Sequence, residues 1–405
     1  MSRCVRAFIA LATLPTGIGA ATAADVHFDP SIEVGAQYND NFTLERSGGS
    51  VQEVSGAFAD AALLLRGEAP RGTWQIEPRV RSTFFPDDKN LESTDYFLRA
   101  AAERHAERNA FGIDADYADQ DIVQSQLPGA NFGNSNLGDG SGPDSGRILG
   151  DNRQTLLRGR PYATFKLSEL TDLRVELDAL DVSFDREIAN AQVSYRSTGG
   201  RVLLDRQFTP TSRFGARLEY QQIDPDLGNS KSDLAGAQLQ WDYRIAERLS
   251  AYGRIGVKRS EFDLVGPGAT RRSISETTPL FAAGMRWVFQ KSELFVDLQR
   301  QVDANSSGFV VQRDDLRAFY THRWSVRMLG YVGGYLVRDE SVTSTGLYVP
   351  RRYYTALAGV EWRALQALSV RGELGLAHQK FSGESGSAEG NSVKVSVVYR
   401  PRRTD

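Results

Sequence analysis

The sequence predicts an all-β protein, a transmembrane antiparallel up-and-down β-barrel of about 18 strands, with about 16 strands as the alternative. Three observations predict this fold class. Apolar and polar residues alternate in segment after segment, the connections between the segments are short and long by turns, and the chain opens with a secretory signal peptide pattern. A soluble sandwich or propeller gives no reason for connections to alternate in length.

Residues 1–23 are the predicted signal peptide. Two arginines precede a short apolar stretch, which ends in the small residues Ala21-Thr22-Ala23. Cys4, the only cysteine, lies in this segment. The predicted barrel domain, residues 24–405, therefore has neither a disulfide nor a cysteine-ligated metal.

The predicted strands are segments in which apolar residues recur at every second position, the period of a strand and not of a helix. They are 31–40, 55–68, 73–85, 94–105, 108–120, 153–167, 171–184, 192–206, 212–223, 232–245, 248–260, 274–289, 292–303, 309–323, 325–338, 351–365, 367–380 and 391–400. Pro78 and Pro161 fall inside two of these segments and count against both, because proline cannot donate to a ladder hydrogen bond.

The connections sort into tight turns and longer loops rich in Gly, Asn, Asp and Ser, as expected for periplasmic turns and external loops. The longest connection, 121–152, carries four aspartates, Asp121, Asp139, Asp144 and Asp151. Calcium needs about six to eight oxygen ligands at close range, and no calcium-binding repeat is present. We expect this loop to be mobile or to fold into the lumen as a constriction.

The first strand shows how the two faces divide. Ile32, Val34, Ala36 and Tyr38 alternate with polar or small residues until Asn39-Asp40-Asn41 ends the pattern. We expect the four to face lipid, with the tyrosine in the aromatic girdle at the outer interface. The alternative is a soluble strand that ends in an ordinary Asn/Asp turn.

The opposite face carries charges of both signs, which suits a wet lumen in which charges pair across strands. Arginine is abundant, at 41 of the 48 basic residues. By parity, roughly 27 basic and roughly 20 acidic residues face inward, a balance that favours anions. The candidate lumen-lining residues are Arg79, Arg81, Arg158, Arg160, Arg174, Arg213, Arg217, Arg254, Arg317 and Arg371. Pairing with a neighbouring carboxylate is the structural alternative for any one of them.

The sequence does not predict an enzyme, a cofactor or a metal site. The four histidines are His27 before the first strand, His105 and His322 near periplasmic strand ends, and His378 on the lipid face near the outer rim. An outer-membrane lipase would place a serine two residues after a histidine like His378, and none is there. A net charge of −3 and the exported location disfavour nucleic-acid binding.

The start of the predicted domain, FDPSIEVGAQYNDNFTL, resembles the opening of the beta-barrel porin 2 family, in which a strand runs into a Y-x-D-N segment. Here that segment is Tyr38, Asp40 and Asn41. The resemblance implies a conduit for the export of extracellular polysaccharide, working with periplasmic and inner-membrane assembly proteins. It implies no catalytic residues.

We expect an outer-membrane pore or conduit in a Gram-negative bacterium, either for polysaccharide export or for the passage of anionic solutes. The alternative is a structural or surface-recognition protein whose lumen is plugged. Expected partners are outer-membrane lipid, the barrel-assembly machinery during insertion and, for an export role, polysaccharide-export proteins.

Overall fold

In a computed structural model of the protein, the chain closes into an 18-stranded antiparallel barrel. The structure describes residues 25–45, 51–122, 152–187, 192–226, 231–265, 271–304, 310–342, 349–382 and 386–401. Each strand pairs with its neighbours along the chain, and the first strand also pairs with the last, which closes the sheet. The predicted fold class and the prediction of 18 strands are confirmed.

The strands are β1 (Asp25–Asn39), β2 (Val54–Ala69), β3 (Gly72–Phe84), β4 (Ser93–His105), β5 (Asn109–Asp121), β6 (Arg153–Ser168), β7 (Thr171–Phe184), β8 (Tyr195–Thr209), β9 (Ser212–Pro225), β10 (Ser232–Ala246), β11 (Leu249–Val265), β12 (Arg271–Val288), β13 (Ser292–Ala304), β14 (Val310–Arg323), β15 (Met328–Ser341), β16 (Arg351–Arg363), β17 (Leu368–Phe381) and β18 (Ala388–Tyr399). A short 3₁₀ helix, Lys89–Leu91, lies between β3 and β4. Among the described residues, no helix has the length and apolar character needed to cross a membrane.

The two prolines that counted against predicted strands both lie inside strands. Pro78 is in β3 and Pro161 is in β6. Each proline is tolerated because strand pairing is interrupted on only one side of its strand. Pairing of β3 with β2 lapses beside Pro78, and pairing of β6 with β7 lapses beside Pro161, before both ladders resume. The ladders on the other sides, β3–β4 and β5–β6, continue through both positions.

The first strand, β1, is longer than the predicted segment 31–40. It begins at Asp25, so His27, which the sequence places ahead of it, lies within β1. The early half of β1 pairs with β2, from Asp25↔Glu68 onwards, whereas the pairing with β18 begins at Ile32. Val26 and Phe28 in this half are exposed like Ile32, so the alternation extends further towards the N-terminus than the predicted segment.

The outer face is apolar. Ile32, Val34, Ala36 and Tyr38 are all exposed, and the residues between them are not, as the alternation predicts. Exposed large apolar side chains recur at every second position on strand after strand. Such a surface is stable against hydrocarbon and not against water.

Aromatic side chains form a belt near the periplasmic turn between β8 and β9 and on the next strand. Phe214 meets Phe208 edge-on at 5.2 Å and stacks on Trp241 at 6.1 Å, and Trp241 stacks on Tyr243 at 5.4 Å. Aromatic girdles of this kind mark the level at which a barrel meets the lipid head groups.

The predicted signal peptide, residues 1–23, lies outside the described residues. The same holds for most of the 121–152 loop, including Asp139, Asp144 and Asp151. Asp121 ends β5.

Candidate functional site

A belt of ion pairs follows the face opposite the exposed apolar residues. Arg79 and Arg81 both bind Asp60, at 2.6 and 2.9 Å. Arg371 bridges Glu33 at 3.2 Å and Glu361 at 2.9 Å, and so connects β17 to β1 on one side and to β16 on the other. Alternating charges on adjacent strands attract one another and fix the register.

Eight of the ten candidate arginines take part in this belt. Their partners are Asp60 for Arg79 and Arg81, Asp178 for Arg158, Asp116 for Arg160, Glu176 for Arg174, Glu219 for Arg217, Asp315 and Asp297 for Arg317, and Glu33 and Glu361 for Arg371. Arg254 lies 5.0 Å from the Tyr252 ring, and Arg213 is exposed near the start of β9. The structure therefore brings most of these arginines against carboxylates.

Three tyrosines add a second kind of link. Tyr331 on β15 lies across Gly359 of β16 and donates from its hydroxyl to Glu373 of β17, at 2.9 Å. A Cβ at Gly359 would come within 2.3 Å of the Tyr331 ring. Glycine is favoured here because a side chain at this position would displace the ring.

The same arrangement occurs twice more. Tyr162 lies across Gly112 and donates to Glu103, and Tyr252 lies across Gly284 and donates to Asp297. In each case, the tyrosine ties together strands that are not neighbours. Sequence reasoning missed these links, although a glycine on the polar face opposite a tyrosine is a usable signal.

A cavity of about 220 Å³ lies against the polar face of β6–β13, and we call it the basic cavity. Among the described residues, its lining contains seven basic side chains and three acidic ones. They are Arg158, Arg160, Arg201, Arg217, Arg254, Lys258 and Arg300, with Asp178, Glu219 and Asp303. Basic side chains thus outnumber acidic ones in the lining of this cavity.

Lys258 is the most deeply buried cation of this cavity, at 6% exposure. Its ammonium group lies 3.1 Å from Glu219 and donates to the backbone carbonyl of Val302 at 2.9 Å. Gln221 donates to Asp303 at 3.0 Å. Both contacts join the β9–β11 side of the barrel to the outer end of β13, which therefore lies against the inner face.

The outer end of the inner face is apolar. One cluster includes Ile223, Leu234 and Val302, all at most 2% exposed. A second cluster joins Phe42 and Phe85, from the segments after β1 and β3, to Tyr335, Val337, Tyr353 and other residues. The main-chain carbonyl of Leu44 accepts a hydrogen bond from Gln379, which holds the first segment inside the barrel. Chain segments thus narrow the lumen at its outer end.

His378 and His322 both contact residues of neighbouring strands. His378 lies on the outer face and stacks on Tyr354, with ring centroids 4.5 Å apart. His322 shares a hydrogen bond with Ser292 on the neighbouring strand. Within the described ranges, no group of three or more His, Cys, Asp or Glu residues is placed to hold a metal ion.

The closed antiparallel barrel, its exposed apolar outside and its charged inside define the class of this protein. It is an outer-membrane β-barrel, located in the outer membrane of a Gram-negative bacterium, where its outer face contacts lipid.

The chain matches no family model, and no curated protein sequence matches it. Membership of the beta-barrel porin 2 family is therefore not shown. Solved structures with a similar chain path include Pseudomonas aeruginosa OccK2 in complex with glucuronate, at 12% identity and a TM-score of 0.47, covering 93% of this chain and 99% of OccK2.

Two further examples are OccAB1 from Acinetobacter baumannii and a loop-deletion mutant of OmpT, an outer membrane protein of Vibrio cholerae. OccAB1 has 9% identity and a TM-score of 0.45, covering 93% of this chain and 97% of its own. The OmpT mutant has 13% identity and a TM-score of 0.39, covering 94% of this chain and 100% of its own.

Proposed function

We propose that the protein is an outer-membrane pore for small solutes and that it favours anions. A barrel of about 18 strands is wide enough to enclose an aqueous channel. The charged face would line this channel, and the ten candidate arginines would contribute to its field. The observation that carries the preference for anions is the basic cavity, in which basic side chains outnumber acidic ones.

Ion pairs with carboxylates neutralise the basic side chains of the cavity only in part. Arg217 lies 2.7 Å from Glu219, and Lys258 lies 3.1 Å from the same carboxylate, so one negative charge faces two positive ones. Arg201 lies 2.8 Å from Glu176, which also pairs with Arg174. An anion that enters the cavity meets cations whose charge is only partly neutralised.

The test is ion selectivity in planar bilayers. Under a potassium chloride gradient, we expect a reversal potential that shows preference for chloride. Arg254→Gln should shift the reversal potential towards cations, because it removes a charge from the cavity lining without removing a partner of Glu219. Arg196→Gln is the matched control, since Arg196 pairs with Asp181 at an exposed position. Preference for potassium in the unmodified protein would contradict the proposal.

Polysaccharide export is the finer function that the resemblance implies. The described residues add no observation in its favour, whereas the basic cavity offers basic side chains to a small anion. We therefore propose passage of small anions as the function that the site supports best.

A plugged barrel with a structural or surface-recognition role is the second candidate. The observation in its favour is the inward packing of Phe42 and Phe85 against Tyr335 and Tyr353. Deletion of residues 125–148 and, separately, Phe42→Ser distinguish the two functions. A pore should conduct before either change, and Phe42→Ser should increase its conductance. Absence of conductance in all three forms would favour the recognition role.

A further inference from the structure

The barrel wall contains a seam between β12 and β13. The two strands pair only as far out as Phe281↔Arg300, although both continue beyond this pair. Continuing the same register would place Pro279 opposite Val302. Proline has no backbone N–H, so it cannot supply a donor to the ladder. In the described parts of the two strands, the ladder does not resume, in contrast to the lapses beside Pro78 and Pro161.

Beyond the seam, side chains replace the missing ladder. The carbonyl oxygen of Val302 accepts a hydrogen bond from the ammonium group of Lys258, at 2.9 Å. The next residue, Asp303, accepts one from Gln221, at 3.0 Å. Both donors belong to strands on the inner side of the seam, β11 and β9. The outer end of β13 is therefore drawn inward, away from the line of β12.

The seam begins within the apolar band of the outer face. Ile255 and Val257 on β11 are the register partners of Phe281 and Pro279, and they are 66% and 50% exposed. Lipid chains therefore reach the height at which the β12–β13 ladder ends. The guanidinium of Arg300 lies 5.2 Å from the Phe281 ring centroid.

The basic cavity extends to this seam. Its lining includes residues 280–282 of β12 and 299–303 of β13, from both sides of the point where the ladder ends. Arg217 and Lys258 line the same cavity on the inner side. Cationic side chains and the unpaired stretches of β12 and β13 thus line one space.

We propose that the seam is a lateral opening and that the basic cavity binds the anionic head group of a single-chain amphiphile. The head group pairs with Arg217 and Lys258, and the acyl chain leaves through the unpaired stretch beyond Phe281↔Arg300, into the apolar band. A soluble anion would gain from the cations alone, whereas an amphiphile gains from both parts of the site. This binding goes beyond the proposed pore and does not require that ions cross the barrel.

The test compares dodecyl phosphate with inorganic phosphate by isothermal titration calorimetry. The full chain is studied in a non-ionic detergent, with protein-free micelles as the blank. We expect dodecyl phosphate to bind at least about tenfold more tightly than inorganic phosphate, because part of its chain lies in the seam. Equal affinities would show a site for free anions and would overturn the lateral opening, as would binding of neither probe.

Blocking the seam provides a second, independent variant. Gln301→Cys, in a Cys4→Ser background, can be labelled with a benzyl methanethiosulfonate. Labelling should abolish the advantage of dodecyl phosphate, leave inorganic phosphate binding unchanged, and be reversed by a reducing agent. Gln75→Cys is the matched control, since Gln75 is a partly buried glutamine of β3 remote from the cavity lining. Equal effects of labelling at both positions would contradict the proposal.

Replacing Pro279 by a residue that has a backbone N–H should also close the seam. Pro279→Val should let the ladder extend towards Val302 and should lower dodecyl phosphate binding about tenfold. Pro78→Val, at a lapse outside the cavity, should leave binding unchanged. Unchanged binding in Pro279→Val, with the protein still folded, would overturn the role of the seam. If the unmodified protein binds dodecyl phosphate but shows no preference for anions in planar bilayers, the proposed anion-selective pore is overturned and the lateral opening is not.

Discussion

Leu234 near the outer end of the inner face is fully buried and Glu219 at its mid-height is partly buried, and different forces hold them. Glu219 lies between two cations, at 2.7 and 3.1 Å. Leu234 packs in an apolar cluster with Ile223 and Phe262. The outer end of the barrel is built like the core of a soluble protein, whereas the middle is a network of charges. The apolar end would control the width of the passage, and the charged middle would control its selectivity.

The largest expected effect is at the apolar end. Leu234→Ala should lower the free energy of unfolding by about 3 kcal/mol, because it leaves a cavity among packed side chains. Urea unfolding in detergent measures this change. Leu239→Ala is the matched control on the same strand, since Leu239 is 62% exposed and Leu234 is 0% exposed. Equal losses in the two variants would contradict a packed core at the outer end.

A smaller effect is expected in the charged middle. Glu219→Gln keeps the shape of the side chain but leaves Arg217 and Lys258 without their shared carboxylate. We expect a loss of about 2 kcal/mol in the free energy of unfolding, because the two cations then repel one another in a partly buried site. Asp181→Asn, at an exposed pair with Arg196, is the control and should change stability little.

The Glu219→Gln variant also tests whether the charged middle affects ion selectivity. Glu219→Gln should increase the preference for chloride, since it removes a negative charge from the cavity lining. A stability loss without any change in the reversal potential would show that the charged middle has a structural role only.

The smallest effect is expected where a tyrosine crosses a glycine. Gly359→Ala places a Cβ within 2.3 Å of the Tyr331 ring, which must move and lengthen its hydrogen bond to Glu373. We expect a loss of about 1 kcal/mol. Gly372→Ala is the control, because nothing lies within 4 Å of its added Cβ. A stability in Gly359→Ala equal to that of the control would argue against the crossing.

The fold follows closely from the sequence, because strand alternation is a local property. β7 has the bounds predicted from its pattern, Thr171–Phe184, and most other strands differ by up to three residues at one or both ends. The lipid-facing side of β1 also follows, since Ile32 and Val34 can only be stable against an apolar phase. Pro78 and Pro161 show the limit of a local rule, because a neighbouring strand on the other side can hold a proline in place.

The functional site can be predicted from the sequence less completely than the fold. Parity places Arg217 and Arg371 on the polar face, but it does not reveal which carboxylates they meet. It also treats Lys258 like any other lysine, although its carbonyl partner lies on β13, two strands away.

The sequence by itself determined a barrel with an apolar outer face and a charged inner face, because successive side chains of a strand point to opposite faces. Only the tertiary structure decided what fills the interior. The contacts of Tyr331 with Glu373, of Gln221 with Asp303 and of Leu44 with Gln379 join parts of the chain that are far apart in sequence. Their formation depends on the stagger and curvature of the closed sheet, which no single strand encodes.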